Sequence, residues 1–236
     1  MYSYSILLNL LYVAVELLLF DVAKVISVNV GLPRTVRFHG RAVTTGIFKE
    51  PVKNRIKLRR LNLDGDKQAD LRLHGGIDKA VYAYPSEHYD YWKKWLLLPD
   101  TKALAWGMFG ENFTTEGLLE DRVNIGDIFR IGSSQVVATQ PRMPCYKLAV
   151  KFGRTDIIRQ FMNSKLTGIY FRVLKEGEVG AGDTIELIGR DENDLTVKDI
   201  VLLASGEIVD DDRTLLRAVH IKALPEGWRK KFLESL

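Results

Sequence analysis

The residue with the widest chemical repertoire in this chain is its single cysteine, Cys145, within the run Pro141-Arg142-Met143-Pro144-Cys145-Tyr146-Lys147. Two prolines restrict the backbone on its amino-terminal side and so fix where the thiol points. Arg142 and Lys147 are cationic neighbours that favour thiolate, the form that attacks electrophiles and binds soft metals. The competing reading is a small buried hydrophobe with no chemistry at all. A second run, residues 63–80, is dense in Asp, Lys, Arg and Gly and sets His74 against Gly75 and Gly76. Backbone can approach a ligand closely there, although a turn with a hydrogen-bonded histidine is the commoner meaning of such a run. Asp70 and Asp78 either orient His74 or pair with Arg72 and Lys79 on the surface. A third run, Phe109-Gly110-Glu111-Asn112-Phe113-Thr114, offers amide and hydroxyl donors after a glycine, or a loop that Asn112 ties to its own backbone.

Composition closes several alternatives. One cysteine among 236 residues forms no intramolecular disulfide and no four-ligand Cys₄ or Cys₂His₂ zinc site, which fits a reducing cytoplasmic compartment. No phosphate-loop or dinucleotide fingerprint is present, so nucleotide hydrolysis and hydride transfer lose their best sequence support. The net charge of +4 is uneven. Residues 1–190 carry 27 Lys/Arg against 20 Asp/Glu, and residues 191–236 carry 7 against 10. A basic body suits an anionic partner, and the change in sign suggests a boundary near residue 190. Within the body, residues 53–59 alternate Lys and Arg with Asn, Ile and Leu, as in a half-buried strand with a basic outer face. No stacking aromatics interleave with those charges, so no nucleic acid partner is expected, and a solvated edge is the plainer reading.

The elements that must position these residues follow from periodicity and punctuation. Residues 1–20 form an apolar stretch without the basic flank of a signal peptide, interrupted by Asn9 and Glu16 and short for a membrane span. They read as an anchor making membrane contact, an interfacial helix, or a non-functional extension. An alternating strand starts at Lys24 and ends in a Gly-Leu-Pro turn. Two later Gly-Asp turns, Gly126-Asp127 and Gly182-Asp183, each feed an apolar strand, as where antiparallel strands of a barrel reverse. Helices are expected over residues 85–96, with Pro85 in the first turn and a stripe through Tyr89, Trp92 and Leu96, and over residues 155–162, capped by Thr155. Three short helices close the chain: one started by a capping box at Thr196 and Asp199, one after Asp211-Asp212, and one opened by Pro225 over residues 226–233. The expected organisation is an extension over 1–22, a mainly β barrel domain with peripheral helices over 23–190, and a three-helix domain over 191–236.

Five motifs occur in order: Gly-Asp-x-Gln-Ala-Asp at 65–70, Leu-His-Gly-Gly-x-Asp-Lys-Ala at 73–80, Glu-His-Tyr-x-Tyr-Trp at 87–92, Phe-Gly-Glu-Asn at 109–112 and Gln-Pro-Arg-x-Pro-Cys-Tyr-Lys-Leu at 140–148. Together they resemble the MOSC domain, named for the carboxy-terminal domain of molybdenum-cofactor sulfurases, in its stand-alone bacterial YiiM-like branch. The resemblance spans residues 24–236; Ile77 departs from it, standing where the family commonly has proline. It implies a MOSC-type β-barrel followed by a small three-helix domain, a molybdenum cofactor (molybdopterin) in a cleft, and Cys145 as metal ligand and catalytic residue. It further implies His74 near the metal or pterin as catalytic proton donor or hydrogen-bond partner. Lys49 and Arg142 would be cationic contacts to the pterin phosphate, with Asn112 and Thr114 donating to phosphate or pterin. The implied activity is reduction of small N-hydroxylated compounds such as hydroxylaminopurines, a detoxification, with electrons from a separate reductase, a flavoprotein or similar. The family also carries an association with pyridoxal phosphate. The alternative is a carrier of persulfide sulfur on Cys145, or of the cofactor itself, without turnover.

Overall fold

A computed structural model describes residues 23–70, 75–207 and 212–236. Twelve strands and six helices follow in chain order among these residues. The first half contains β1 (Lys24–Val30), β2 (Arg34–Phe38), β3 (Arg41–Thr45), β4 (Glu50–Pro51), β5 (Ile56–Leu58), β6 (Val81–Pro85), α1 (Glu87–Trp95) and β7 (Phe113–Glu116). Then come β8 (Ile128–Ile131), β9 (Ser134–Pro141), α2 (Tyr146–Phe152), α3 (Ile157–Ser164), β10 (Ile169–Lys175), β11 (Gly177–Val179) and β12 (Ile185–Gly189). The last three are α4 (Val197–Ser205), α5 (Asp212–His220) and α6 (Glu226–Leu233).

Eight strands make one mixed sheet in the order β12-β8-β9-β10-β6-β7-β1-β4, antiparallel throughout except for the parallel pair β6 and β7. A closed barrel ladder, as expected from the turns, is not found: the architecture is mixed α/β with an open strand order. The sheet does curl until the segment before β12 reaches β1. Gly182 N–H donates to the Val25 carbonyl at 2.8 Å, Val25 N–H to Asp183 at 2.9 Å, and Ile185 N–H to Ala23 at 2.7 Å. One edge of β1 is taken by β7, and β4 occupies the other edge at Asn29 and Val30. Only the first residues of β1 are left to meet this segment, which limits the seam to one bridge, Lys24 with Thr184.

The period of two along β6 divides the interior. Val81 and Ala83 join the larger apolar core, shared with Phe113, Phe129, Ile169 and Phe171, while Tyr82 and Tyr84 enter an aromatic core with α1 and α3. Trp92 of α1 is fully buried there, donates through Nε1 to the Tyr84 hydroxyl at 2.5 Å, and stacks on Phe161 of α3. The two Gly-Asp turns hold Gly126 at φ +101° and Gly182 at φ +89°, where a Cβ is strained. At Gly126 a Cβ would also strike the Asp191 carboxylate.

Three local expectations change. The basic run 53–59 pairs only through Ile56–Leu58, against β11, because Arg55 turns aside to form a two-point ion pair with Asp183 at 2.6 and 2.9 Å. Pro85 ends β6 instead of opening α1, and Ser86 takes the position before the helix. Helix α3 starts two residues later than expected, after Asp156, whose carboxylate pairs with Arg154. The three carboxy-terminal helices stand as expected. Thr196 Oγ1 accepts from Asp199 N–H at 3.1 Å while the Asp199 carboxylate accepts from Thr196 N–H at 2.9 Å. Ile200, Leu203, Ala218 and Phe232 then pack into the larger core. No helix among the described residues is long and apolar enough to cross a membrane; the apolar stretch 1–20 lies outside the described residues.

Because the Thr196 hydroxyl satisfies a helix-terminal amide that packing alone leaves open, Thr196→Ala is expected to lower stability by about 1 kcal/mol. Urea unfolding followed by circular dichroism measures it; an unchanged midpoint would show that the cap contributes nothing.

Candidate functional site

The last residue of β9, Pro141, is paired with Ile169, so the chain leaves a rigid sheet immediately before Arg142. It continues through Met143 and Pro144 to Cys145, which stands in extended backbone at the residue before α2. This short strap forms one wall of a cleft. The β3–β4 loop brings Gly46 and Lys49 to it, β6 brings Tyr82, and the segment before β7 brings Asn112. Cys145 is half-buried within it.

Arg142 is the unusual group. It is 6% exposed, donates from Nη1 to the Phe109 carbonyl, and lies with its guanidinium 4.7 Å from the Tyr82 ring centroid and 5.9 Å from that of Phe161. An arginine keeps its charge at any physiological pH, and in place of water this one has the Phe109 carbonyl, the Tyr82 hydroxyl and two ring faces. Among the described residues no carboxylate forms an ion pair with it. Lys49, equally buried, is treated differently: its Nζ lies 2.5 Å from Asp66 Oδ1. Burial pushes the Lys49 ammonium below its usual range, and the Asp66 carboxylate opposes that shift.

Asp66 does more than neutralise Lys49. The same Oδ1 accepts from Gly31 N–H at 2.9 Å, and Oδ2 accepts from Asn112 Nδ2 at 2.9 Å. Asn112 in turn accepts from Tyr82 N–H through Oδ1 at 3.1 Å. One carboxylate thus fastens the end of β1, the β3–β4 loop and the segment before β7. A second, Glu111, shapes the neighbouring loop by accepting from Gly107 N–H at 2.8 Å, Phe109 N–H at 3.0 Å, the Thr114 hydroxyl at 2.9 Å and the Tyr89 hydroxyl. Burial raises the Glu111 carboxyl, and these donors oppose it. The loop so held presents the Phe109 carbonyl that Arg142 reaches.

Of the residues singled out in the sequence, Cys145, Arg142, Lys49 and Asn112 come together at this cleft. Thr114 lies elsewhere: it is fully buried, donates to Glu111 and accepts from Asn29 Nδ2 at 3.1 Å. His74 lies outside the described residues. Asp78 pairs with Arg172 at 2.5 Å, a contact across the sheet that sequence neighbours did not suggest. Lys79, Tyr82 and Tyr170 line the cleft without having been expected there. The alternation Val81-Tyr82-Ala83-Tyr84 signals a strand, but only tertiary structure says that the Tyr82 side meets the Cys145 strap. Lys79, Cys145 and Tyr170 also line an adjoining, wider groove that extends to Gly227, Trp228 and Lys231 of α6. Among the described residues no three His, Cys, Asp or Glu side chains gather to cage a metal. The half-buried Cys145 thiol offers one soft donor at the cleft, which fits a metal that arrives with ligands of its own.

Comparison with known proteins gives a consistent picture. Residues 70–186 match the MOSC domain. The chain is 42% identical to YflK of Bacillus subtilis, over 90% of this chain and 94% of that protein. The crystal structure of YiiM from Geobacillus stearothermophilus superposes with a TM-score of 0.73 at 33% identity, covering 90% of this chain and 98% of the other. A Gibberella moniliformis protein named reductase is 31% identical over 64% of this chain, which corresponds to 27% of its own length.

The Asp66 network generates a stability prediction. Asp66→Asn leaves the Lys49 ammonium buried without a counter-charge and is expected to cost about 3–5 kcal/mol in guanidinium unfolding. Adding Lys49→Met should recover part of that loss. A double variant no more stable than Asp66→Asn alone would show that the ion pair is not the source of the cost.

Proposed function

The chain belongs to the MOSC domain family, and from that membership we propose that it is a molybdenum-cofactor-dependent reductase of N-hydroxylated compounds. MOSC domains are associated with the molybdenum cofactor, and the reductase among the relatives supports oxidoreductase chemistry. The observation that carries the proposal is Arg142, a buried guanidinium with no carboxylate partner among the described residues, in the same cleft as the half-buried Cys145 thiol. A site that spends stability on an unmatched cation is prepared for an anion, and the pterin phosphate is dianionic.

Each side chain has a definable part. Cys145 would ligate the metal, its position set by Pro144 before it and α2 after it. Arg142 would bind phosphate through the guanidinium hydrogens that Phe109 leaves over. Lys49 and Asn112 are already engaged with Asp66 and would shape the wall and its positive potential more than they donate outright. His74 keeps its proposed role as a proton source. When bound, the cofactor supplies the two-electron redox centre at which an N–O bond is cleaved. The overall change converts R–NHOH, two electrons and two protons into R–NH₂ and water, with the electrons drawn from a separate donor. Pyridoxal phosphate has no part in this proposal, since none of these relatives supports it.

Two measurements test it. Protein made in a host that synthesises the cofactor should carry molybdenum near one atom per chain, and Cys145→Ser should lose both the metal and reduction of a hydroxylaminopurine by a chemical donor. Full activity from metal-free wild type would refute the reading. Sulfur bound at Cys145 with no turnover would replace it with a persulfide carrier. Arg142→Met should retain little molybdenum yet leave the cofactor-free protein within about 1 kcal/mol of wild-type stability, because the buried charge is removed together with its hydration cost. A large loss of stability would assign Arg142 to the fold instead.

A further inference from the structure

We propose that α6 supplies the substrate-recognition wall of this site, with the Trp228 indole as platform for a planar N-hydroxylated ring and Gly227 as the residue that admits it. The inference rests on the reductase reading for what the ring carries, and on the geometry of the groove for where it lies.

Cys145, Lys79 and Tyr170 line both the cationic cleft and the wider groove, so a molecule in the groove meets the thiol at their junction. The opposite end of that groove belongs to α6, through Gly227, Trp228 and Lys231. Trp228 is held in place. Its Nε1 donates to Gln140 Oε1 at 2.8 Å, and its ring packs against Phe232 at 5.8 Å between centroids. Gln140 sits in β9, paired with Tyr170 and buried, five residues ahead of Cys145 on the same rigid run. The indole is therefore tied to the thiol through a strand, and a ring lying on it is set at a fixed distance from the cleft. Its one polar hydrogen is spent on Gln140, which leaves ring surface, and no donor, for whatever occupies the groove.

Gly227 adds an independent observation. It has an ordinary helical backbone, and a Cβ built there would meet nothing within 4 Å. Neither conformation nor packing requires glycine in this first turn of α6, where alanine would favour the helix. What its missing side chain provides is open volume in the groove wall beside the indole.

Steady-state kinetics with a chemical electron donor test the proposal on the molybdenum-loaded protein. The probes are 6-hydroxylaminopurine, which carries a planar ring, and N-methylhydroxylamine, which carries none. Calorimetric binding of adenine, the amine product, gives a readout independent of turnover. Trp228→Leu should raise KM for the purine about tenfold, the loss of one ring-stacking contact, with kcat within about twofold. N-methylhydroxylamine kinetics and molybdenum content should not change, and Trp228→Phe should recover most of the purine KM. Gly227→Leu, which removes no aromatic surface, should weaken adenine binding and purine turnover by filling the space. If both variants keep wild-type purine KM and adenine affinity, the wall lies elsewhere and the inference is overturned. Loss of molybdenum from Trp228→Leu would likewise overturn it, by assigning the indole to the cofactor. Should wild type reduce neither probe, the reductase reading fails, while adenine affinity lost in both variants would still support the wall.

Discussion

The site depends on how few carboxylates the interior grants to its buried cations. Lys49 and Arg142 lie in one cleft, almost equally shielded from water, and Asp66 is committed to the first alone. Its two oxygens accept from Lys49, the Gly31 amide and Asn112, and it forms no ion pair with the guanidinium. Glu111 similarly accepts from two amides and two hydroxyls. The same bonds that fasten β1, the β3–β4 loop and the segment before β7 turn the Asp66 carboxylate toward Lys49, and among the described residues Arg142 has no ion pair. Fold stability and the proposed anion binding would draw on one distribution of acceptors.

The sheet places that distribution where chemistry can use it. β6 is buried on both faces, with small and branched side chains toward one core and tyrosines toward the other. Its tyrosine face leads from the aromatic packing of Trp92 and Phe161 directly to the guanidinium, so the Tyr82 side of the cleft is an extension of the core. β10 carries Tyr170, and β9, paired with it from Gln135 to Pro141, leads directly into the Cys145 strap. Side chains held on or directly beside paired strands lose little entropy on binding, because the backbone has already been ordered.

What could be read from the sequence was what is decided locally. The Thr196–Asp199 box, the Pro225 start and the Gly-Asp turns each need only a few neighbouring residues, and all three stand in the structure. Pro141, Pro144 and the two cations marked the Cys145 strap for the same reason. The rest rests on contacts between distant positions: Asp66 with Asn112, Asp78 with Arg172, Gln140 with Trp228. No spacing rule connects those pairs, so Thr114 looked like a ligand donor although its hydroxyl is spent on Glu111, and Lys79 looked like a surface charge although it faces the thiol's cleft. The open strand order had the same origin, since turns reveal that strands reverse but not whether the first and last of them share a full edge.

That partial seam also governs the order in which the molecule can be completed. Ala23–Val25 bond to residues 182–185, which are synthesised long after β1. Those hydrogen bonds can form only after residue 185 has been synthesised. Until then β1 offers an unsatisfied edge to any passing strand, with β4 covering only its far end. Such dependence on remote contacts slows folding, and it makes residues 182–185 a late latch on β1.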